Sequence, residues 1–136
     1  MQKALSKHGF ILILLALVTG FVIPQAAIPR LALSAHTIAL LSGILLLGVS
    51  AIWPQLNLSE GQKKMVYWGW VYSGYANWLG ILIGAYTGAG RMTPIASGGL
   101  TSTSLAEAVV AFLLISLSLA SLVAAILSIW GVTRRA

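Results

Sequence analysis

Apolar residues fall into four long runs along the chain, from Gly9 to Ile23, Leu31 to Trp53, Met65 to Thr87 and Leu105 to Trp130. The last three each reach the roughly 20 residues needed to cross about 30 Å of hydrocarbon, and the first does so when continued through Pro24 to Ile28. The pattern predicts helices over residues 8–28, 32–53, 64–88 and 104–132 of a single transmembrane domain, 1–136. Lys3 and Lys7 ahead of a short apolar stretch resemble a signal peptide. Pro24-Gln25-Ala26-Ala27, however, makes a poor small-x-small cleavage site, so the first run is read as a retained span. The connectors at 24–30 and 54–64 are short, and 88–104 is rich in Gly, Ser and Thr. Short links make sequence neighbours antiparallel. The expected fold is therefore all-α, an antiparallel bundle of four membrane-crossing helices.

Composition agrees. Of 136 residues, 59% are hydrophobic and 7% charged, whereas a soluble domain carries about a quarter charged residues. That excludes a soluble enzyme, a disordered tail and a nucleic-acid-binding module. The net charge of +6 comes from basic residues placed singly and in pairs between apolar runs, which makes no continuous patch for a phosphate backbone. On an antiparallel scheme Lys3, Lys7, Lys63, Lys64, Arg134 and Arg135 share one side, while Arg30 and Arg91 lie on the other. The positive-inside rule then puts both termini in the cytoplasm, with the chain in the cytoplasmic membrane. With no cysteine there is no disulfide, thiolate zinc site, iron–sulfur cluster or thiol nucleophile.

Helices in lipid gain little hydrophobic free energy on meeting, so close approach over small residues drives their packing. Small residues recur every four positions at Ala76, Gly80, Gly84 and Gly88, at Ser116, Ala120, Ala124 and Ser128, and at Ala35, Ala39 and Gly43. Three such ridges exceed what a small interior needs, which predicts a homo-oligomer.

Ionisable groups at membrane depth are costly and are the first candidates for function. His8 opens the first helix; Arg30, His36, Arg91 and Glu107 gather at the opposite, outer end; Asn77 lies midway along the third helix, within about 60° of its glycine ridge. Each also has a structural explanation. Ser104 and Glu107 fit a capping box, His36 can sit behind a Ser34 cap, and the arginines and His8 can be headgroup residues. The third helix adds Tyr67, Trp68, Trp70, Tyr72, Tyr75, Trp78 and Tyr86. Tyr72, Tyr75 and Trp78 are too central for an interfacial belt, and Trp70 lies within about 20° of Asn77 on the helical wheel. An aromatic wall running down from a polar end suits a small aromatic ligand. No nucleotide, metalloprotease or nucleophile-elbow motif is present. His8 and His36 fall at opposite ends of antiparallel helices, which rules out a bis-histidine haem within one chain. A single-histidine haem or metal stays open.

The assembled residues resemble the hydroxylaminobenzene mutase family of small membrane isomerases over nearly the whole chain. The matching stretches are His8-Gly9, Thr19-Gly20, Pro29-Arg30, Leu33-Ser34-Ala35-His36, Tyr72, Tyr75-Ala76-Asn77-Trp78, Gly88-Ala89-Gly90, Met92-Thr93-Pro94-Ile95-Ala96, Glu107 and Trp130-Gly131. The resemblance implies isomerisation of hydroxylaminobenzene to 2-aminophenol, an enzymatic Bamberger rearrangement in bacterial nitroarene breakdown, with no organic cofactor. That reaction needs an acid for the departing hydroxyl, a wall for the cationic ring and a base for the ring proton. Glu107 and His36 are the acid–base candidates in either order, with Arg91 and Arg30 beside them. Asn77, Tyr75, Trp78, Tyr72 and Trp70 would form the substrate wall, and His8 is a further candidate. Two other functions fit the size: a four-helix transporter of aromatic or cationic compounds, and a haem-binding membrane subunit.

Overall fold

The computed structural model describes residues 1–134, so Arg135 and Ala136 lie outside the described residues. Helices α1 (Gln2–Val22), α2 (Pro29–Ile52), α3 (Glu60–Thr87), the single turn α4 (Pro94–Ser97) and α5 (Ser104–Thr133) carry the fold. Among the described residues there is no strand. The first helix differs from expectation at both ends, starting at Gln2 and stopping at Val22 instead of running 8–28. Pro24 explains the stop. It has no N–H to donate to the helix, and it sits in a 3-10 turn over Ile23–Gln25. Pro29 then opens α2, where its missing N–H costs nothing. Between them, Ile28 N–H donates to Ala85 O at 2.9 Å and ties the link to the far end of α3.

Caps set the other boundaries. Ser59 and Gln62 form a full capping box at the start of α3, with Gln62 N–H on Ser59 Oγ at 3.3 Å and Ser59 N–H on Gln62 Oε1 at 3.0 Å. Gly88 ends α3 with φ 77°, the left-handed region glycine enters freely. The cap of α5 is Thr103, not Ser104: Ala106 N–H donates to Thr103 Oγ1 at 3.3 Å. Nor does Ser34 cap α2, because Pro29 already starts it and the Ser34 hydroxyl bonds back to Arg30 O at 2.9 Å.

The long helices pack in chain order, α1 along α2, α2 along α3 and α3 along α5. α5 is held chiefly through α3. Small residues set the approach. A Cβ at Gly43 would stand 2.7 Å from Gly9 O, and one at Gly9 would stand 2.9 Å from Gly43 O, so α1 and α2 cross glycine on glycine. At Gly69 the same atom would meet Ala124 Cβ at 2.8 Å and Ala120 O at 3.1 Å, where α3 crosses α5. All three small-residue ridges are thus spent inside the chain, for Ala76, Gly80 and Gly84 are buried as well and a Cβ at Gly80 would stand 3.3 Å from Leu113 Cβ. Overpacking costs roughly 1–3 kcal/mol even where side chains can yield, and backbone cannot. Gly43→Leu is therefore expected to lower the melting temperature in detergent well below that of Gly48→Leu, whose Cβ meets nothing within 4 Å. Equal melting temperatures would mean that α1 and α2 are not locked there.

The outer faces are strongly apolar. Phe10, Phe21, Phe112, Leu119 and Ile129 are all more than half exposed. Three helical stretches are long and apolar enough to cross a membrane: Gln2–Gln25, Pro29–Gln55 and Ser104–Thr133. α3 falls short of the same apolarity because it begins with Glu60, Lys63 and Lys64 and then spends its interior on Trp, Tyr, Gly, Ser and Asn.

Candidate active site

One group of polar side chains lines the seam between α1 and its neighbours. His8 Nδ1 and the Tyr75 hydroxyl are 3.0 Å apart, and the imidazole stands edge-on to both Tyr75 and Tyr67, with ring centroids at 5.7 and 6.3 Å. Three residues further along α3, Trp78 Nε1–H donates to Thr19 Oγ1 at 3.0 Å. His36 reaches across from α2, its Nδ1 2.7 Å from Ala16 O. A carbonyl oxygen can only accept, so Nδ1 carries the hydrogen, and in the neutral ring Nε2 holds the free lone pair. Gly20 makes the room, since a Cβ there would stand 3.3 Å from the imidazole.

Glu107 does something different from what capping predicts. It is buried, and its two oxygens accept from Arg91 N–H at 3.1 Å and Ser102 N–H at 3.0 Å. One carboxylate therefore pins both limbs of the segment between α3 and α5. Ser97, bonded through Oγ to Gly90 O at 3.1 Å, holds the same segment from within. The Arg30 and Arg91 side chains are exposed, and the ion pair formed among the described residues is Lys63 with Glu60. His36, Glu107, Arg91 and Arg30 thus share one end of the bundle, but direct contact does not join them: His36 turns to α1 and Glu107 to loop backbone.

The aromatic wall divides by helical phase. Trp70 and Asn77, two turns apart, both line a cavity of about 140 Å³ between α2, α3 and α5, opposite Ser42 and Leu45 of α2 and Leu117 and Ser121 of α5. Trp70 Nε1–H donates to Ser128 Oγ at 3.1 Å, which fixes the indole plane. Tyr75 and Trp78 face α1 instead, and the Tyr72 hydroxyl pairs with Ser116 at 2.6 Å on an exposed edge. Thr19, Ser42 and Ser121 are site residues that sequence reasoning missed. Serine and threonine in apolar helices ordinarily bond back to their own backbone, so their sequence positions carry no sign of a site.

Comparison with known proteins now assigns a class. The chain is an enzyme of the isomerase kind, a mutase. It belongs to the styrene oxide isomerase family, whose profile matches residues 1–133. It is 46% identical to hydroxylaminobenzene mutase HabB of Ectopseudomonas oleovorans over 132 residues, which is 96% of this chain and 80% of that protein. To hydroxylaminobenzene mutase HabA of the same organism it is 40% identical over 135 residues, 98% of this chain and 100% of that one. The resemblance read from the sequence is thereby borne out. No solved structure matches the chain.

Proposed function

We propose that the protein converts hydroxylaminobenzene to 2-aminophenol. The observation that carries this reading is the cavity beside Trp70. It is close in size to the roughly 150 Å³ engineered cavity that takes up benzene, and it lies in a chain similar to two mutases named for that substrate. The chemistry requires a proton on the departing hydroxyl, transient positive charge on the ring, and loss of one ring proton at the end. An indole face stabilises such a ring by about 0.5–2 kcal/mol. We assign the proton steps to His36, whose Nε2 is uncommitted on a ring that faces α1, outside the residues lining that cavity. Protonated, it gives a proton to the leaving oxygen; neutral, it takes the ring proton, and the cycle closes without net change. Glu107 holds the segment carrying Arg91 across the end of the bundle where Arg30 also lies, and Trp70 is the aromatic wall of the cavity, Tyr75 and Trp78 facing α1 instead.

Incubating detergent-purified protein with phenylhydroxylamine is expected to yield 2-aminophenol, with styrene oxide offered in parallel. Turnover of styrene oxide alone would transfer the reading to that substrate. No product from either would bring the transporter reading forward.

One observation favours a second reading of the acid. A histidine that ligates a metal almost always donates its other ring N–H to a carbonyl or carboxylate, as His36 does to Ala16 O. On that reading His36 would be the residue that holds a haem iron through Nε2, and the iron would supply Lewis acidity toward the departing oxygen. A Soret band that vanishes in His36→Ala would establish it, and a colourless active preparation would dismiss it.

The same proposal places all four long helices across the cytoplasmic membrane, with self-association through their bare apolar faces. Reporter fusions in residues 57–62 and at Ala136 should read cytoplasmic, and one in residues 93–103 external. Ala136 lies outside the described residues. An external reading at 57–62 would reverse the orientation.

A further inference from the structure

The connection from α3 to α5 is built mainly of Gly, Ser, Thr and Pro, yet Met92, Ile95 and Leu100 stand bare on it, 41%, 91% and 52% exposed. A loose turn does not explain this. Ala96, next to Ile95, packs against the cluster that holds Ile28, Leu31 and Ala85, while Ser97 is buried and a Cβ at Gly90 would collide with it. The segment is therefore held, with its largest apolar side chain turned outward. Its backbone is also largely satisfied from within. Thr93 N–H donates to Gly90 O and Ser97 N–H to Thr93 O, each at 2.9 Å, and Glu107 takes the N–H groups of Arg91 and Ser102. Irregular backbone enters a low-dielectric phase only when its polar groups find partners inside the protein.

The apolar surface continues onto α5. Leu105, in its first turn, is 76% exposed, and Val109 and Phe112 follow on the same helical face. Charge complements phosphate at this end. The chain has two acidic residues, of which Glu60 opens α3 at the opposite end and Glu107 is buried, so the exposed Arg30 and Arg91 have no exposed carboxylate beside them. Bare apolar side chains next to unopposed arginine are the composition of an element lying in a lipid interface.

We infer that the segment from Gly88 to Thr103 docks on the phospholipid bilayer itself, at the boundary between headgroups and acyl chains. Ile95, Met92 and Leu100 enter the acyl region, and Arg91 lies at the depth of the phosphates. The inference rests on the proposed placement of the long helices across the membrane and is independent of the mutase reading.

Because the chain has no cysteine, single-cysteine variants carry one nitroxide each. The probes are Ile95→Cys and Leu100→Cys, with Leu119→Cys on the bare face of α5 as lipid reference and Gly61→Cys, where a Cβ meets nothing within 4 Å, as water reference. In phosphatidylcholine–phosphatidylglycerol vesicles, electron paramagnetic resonance reads collision of each nitroxide with oxygen, which concentrates in lipid, and with a nickel chelate, which stays in water. The ratio of oxygen to chelate collisions at Ile95 and Leu100 should lie well above that at Gly61 and below that at Leu119. Adding Ile95→Asp should move the Leu100 nitroxide toward the chelate. A Gly61-like ratio at Ile95 beside a lipid-like Leu119 would overturn the inference and leave the membrane placement standing, whereas a water-like Leu119 would remove both. Protection from both reagents, with spin–spin broadening at Ile95, would assign the surface to a second copy and overturn the lipid docking. An unchanged Leu100 nitroxide in the Ile95→Asp background would overturn it too, since the apolar side chains would then not hold the segment in lipid.

Discussion

His36→Ala is expected to lose about 10²-fold or more in turnover of phenylhydroxylamine while the protein still inserts and assembles. The expectation follows from one nitrogen. Nδ1–H is spent on Ala16 O, which fixes both ring and tautomer, so removing the ring takes away Nε2 without unpairing a buried side chain. Glu107→Gln should cause a comparable loss by another route. A neutral amide keeps one oxygen for one of the two loop N–H groups and offers an NH₂ where the other needs an acceptor. Backbone amide exchange at Arg91 and Ser102 separates the two cases. It should accelerate in Glu107→Gln and stay unchanged in His36→Ala. His8→Ala should cost less than either, since its partner is the Tyr75 hydroxyl on the far side of the seam. Full activity in His36→Ala would remove this residue from the chemistry, and a severe loss confined to His8→Ala would shift the centre to the opposite end of α1.

The second large effect concerns the source of the oxygen. In acidic water the freed ring cation is captured by bulk solvent, chiefly at the para carbon, whereas an ortho product is what an oxygen leaving nitrogen gives by moving to its nearest ring neighbour. Ortho selectivity therefore demands a site that excludes competing water. The segment from Gly88 to Thr103, pinned at both limbs by Glu107 and closed on itself by Ser97 and Gly90, lies at the His36 end of the bundle, outside the residues lining the cavity, and we assign it the exclusion of water from that end. In ¹⁸O-enriched water the unmodified protein should give 2-aminophenol with little label above the exchange blank. Glu107→Ala, which unpins the segment, should incorporate label and release some para isomer. Complete incorporation by the unmodified protein would refute intramolecular transfer and leave the isomerase assignment untouched.

Most helix boundaries were readable because apolar runs and prolines are local signals. α2, α3 and α5 begin and end within a few residues of the apolar runs. The first helix was misjudged because Lys3 and Lys7 read as flanking charge, although a helix entering from water tolerates them, and because Pro24 was carried through where it in fact stops the helix. Within the site, the pairing of Trp70 with Asn77 was legible from 100° per residue alone. What rotation about one helix cannot tell is which neighbour a face meets. Tyr75 and Trp78 therefore turned out to face α1, and Thr19 became the partner of Trp78. Glu107 was the least legible. Its spacing after Ser104 satisfied a local cap, whereas its partners are N–H groups of a loop whose path depends on Gly98 and Gly99 at positive φ.

Because α5 packs chiefly on α3, α2 and α5 face each other across the cavity without packing closely over it. With all four helices across a bilayer, as proposed, such an opening would give sideways onto acyl chains instead of upward onto water. A small arene dissolves readily in that phase, so the concentration governing occupancy is the one set by its partition coefficient. Saturation measured against total solute should then shift with the amount of lipid or detergent in the assay, and should collapse onto one curve when replotted as mole fraction in the membrane.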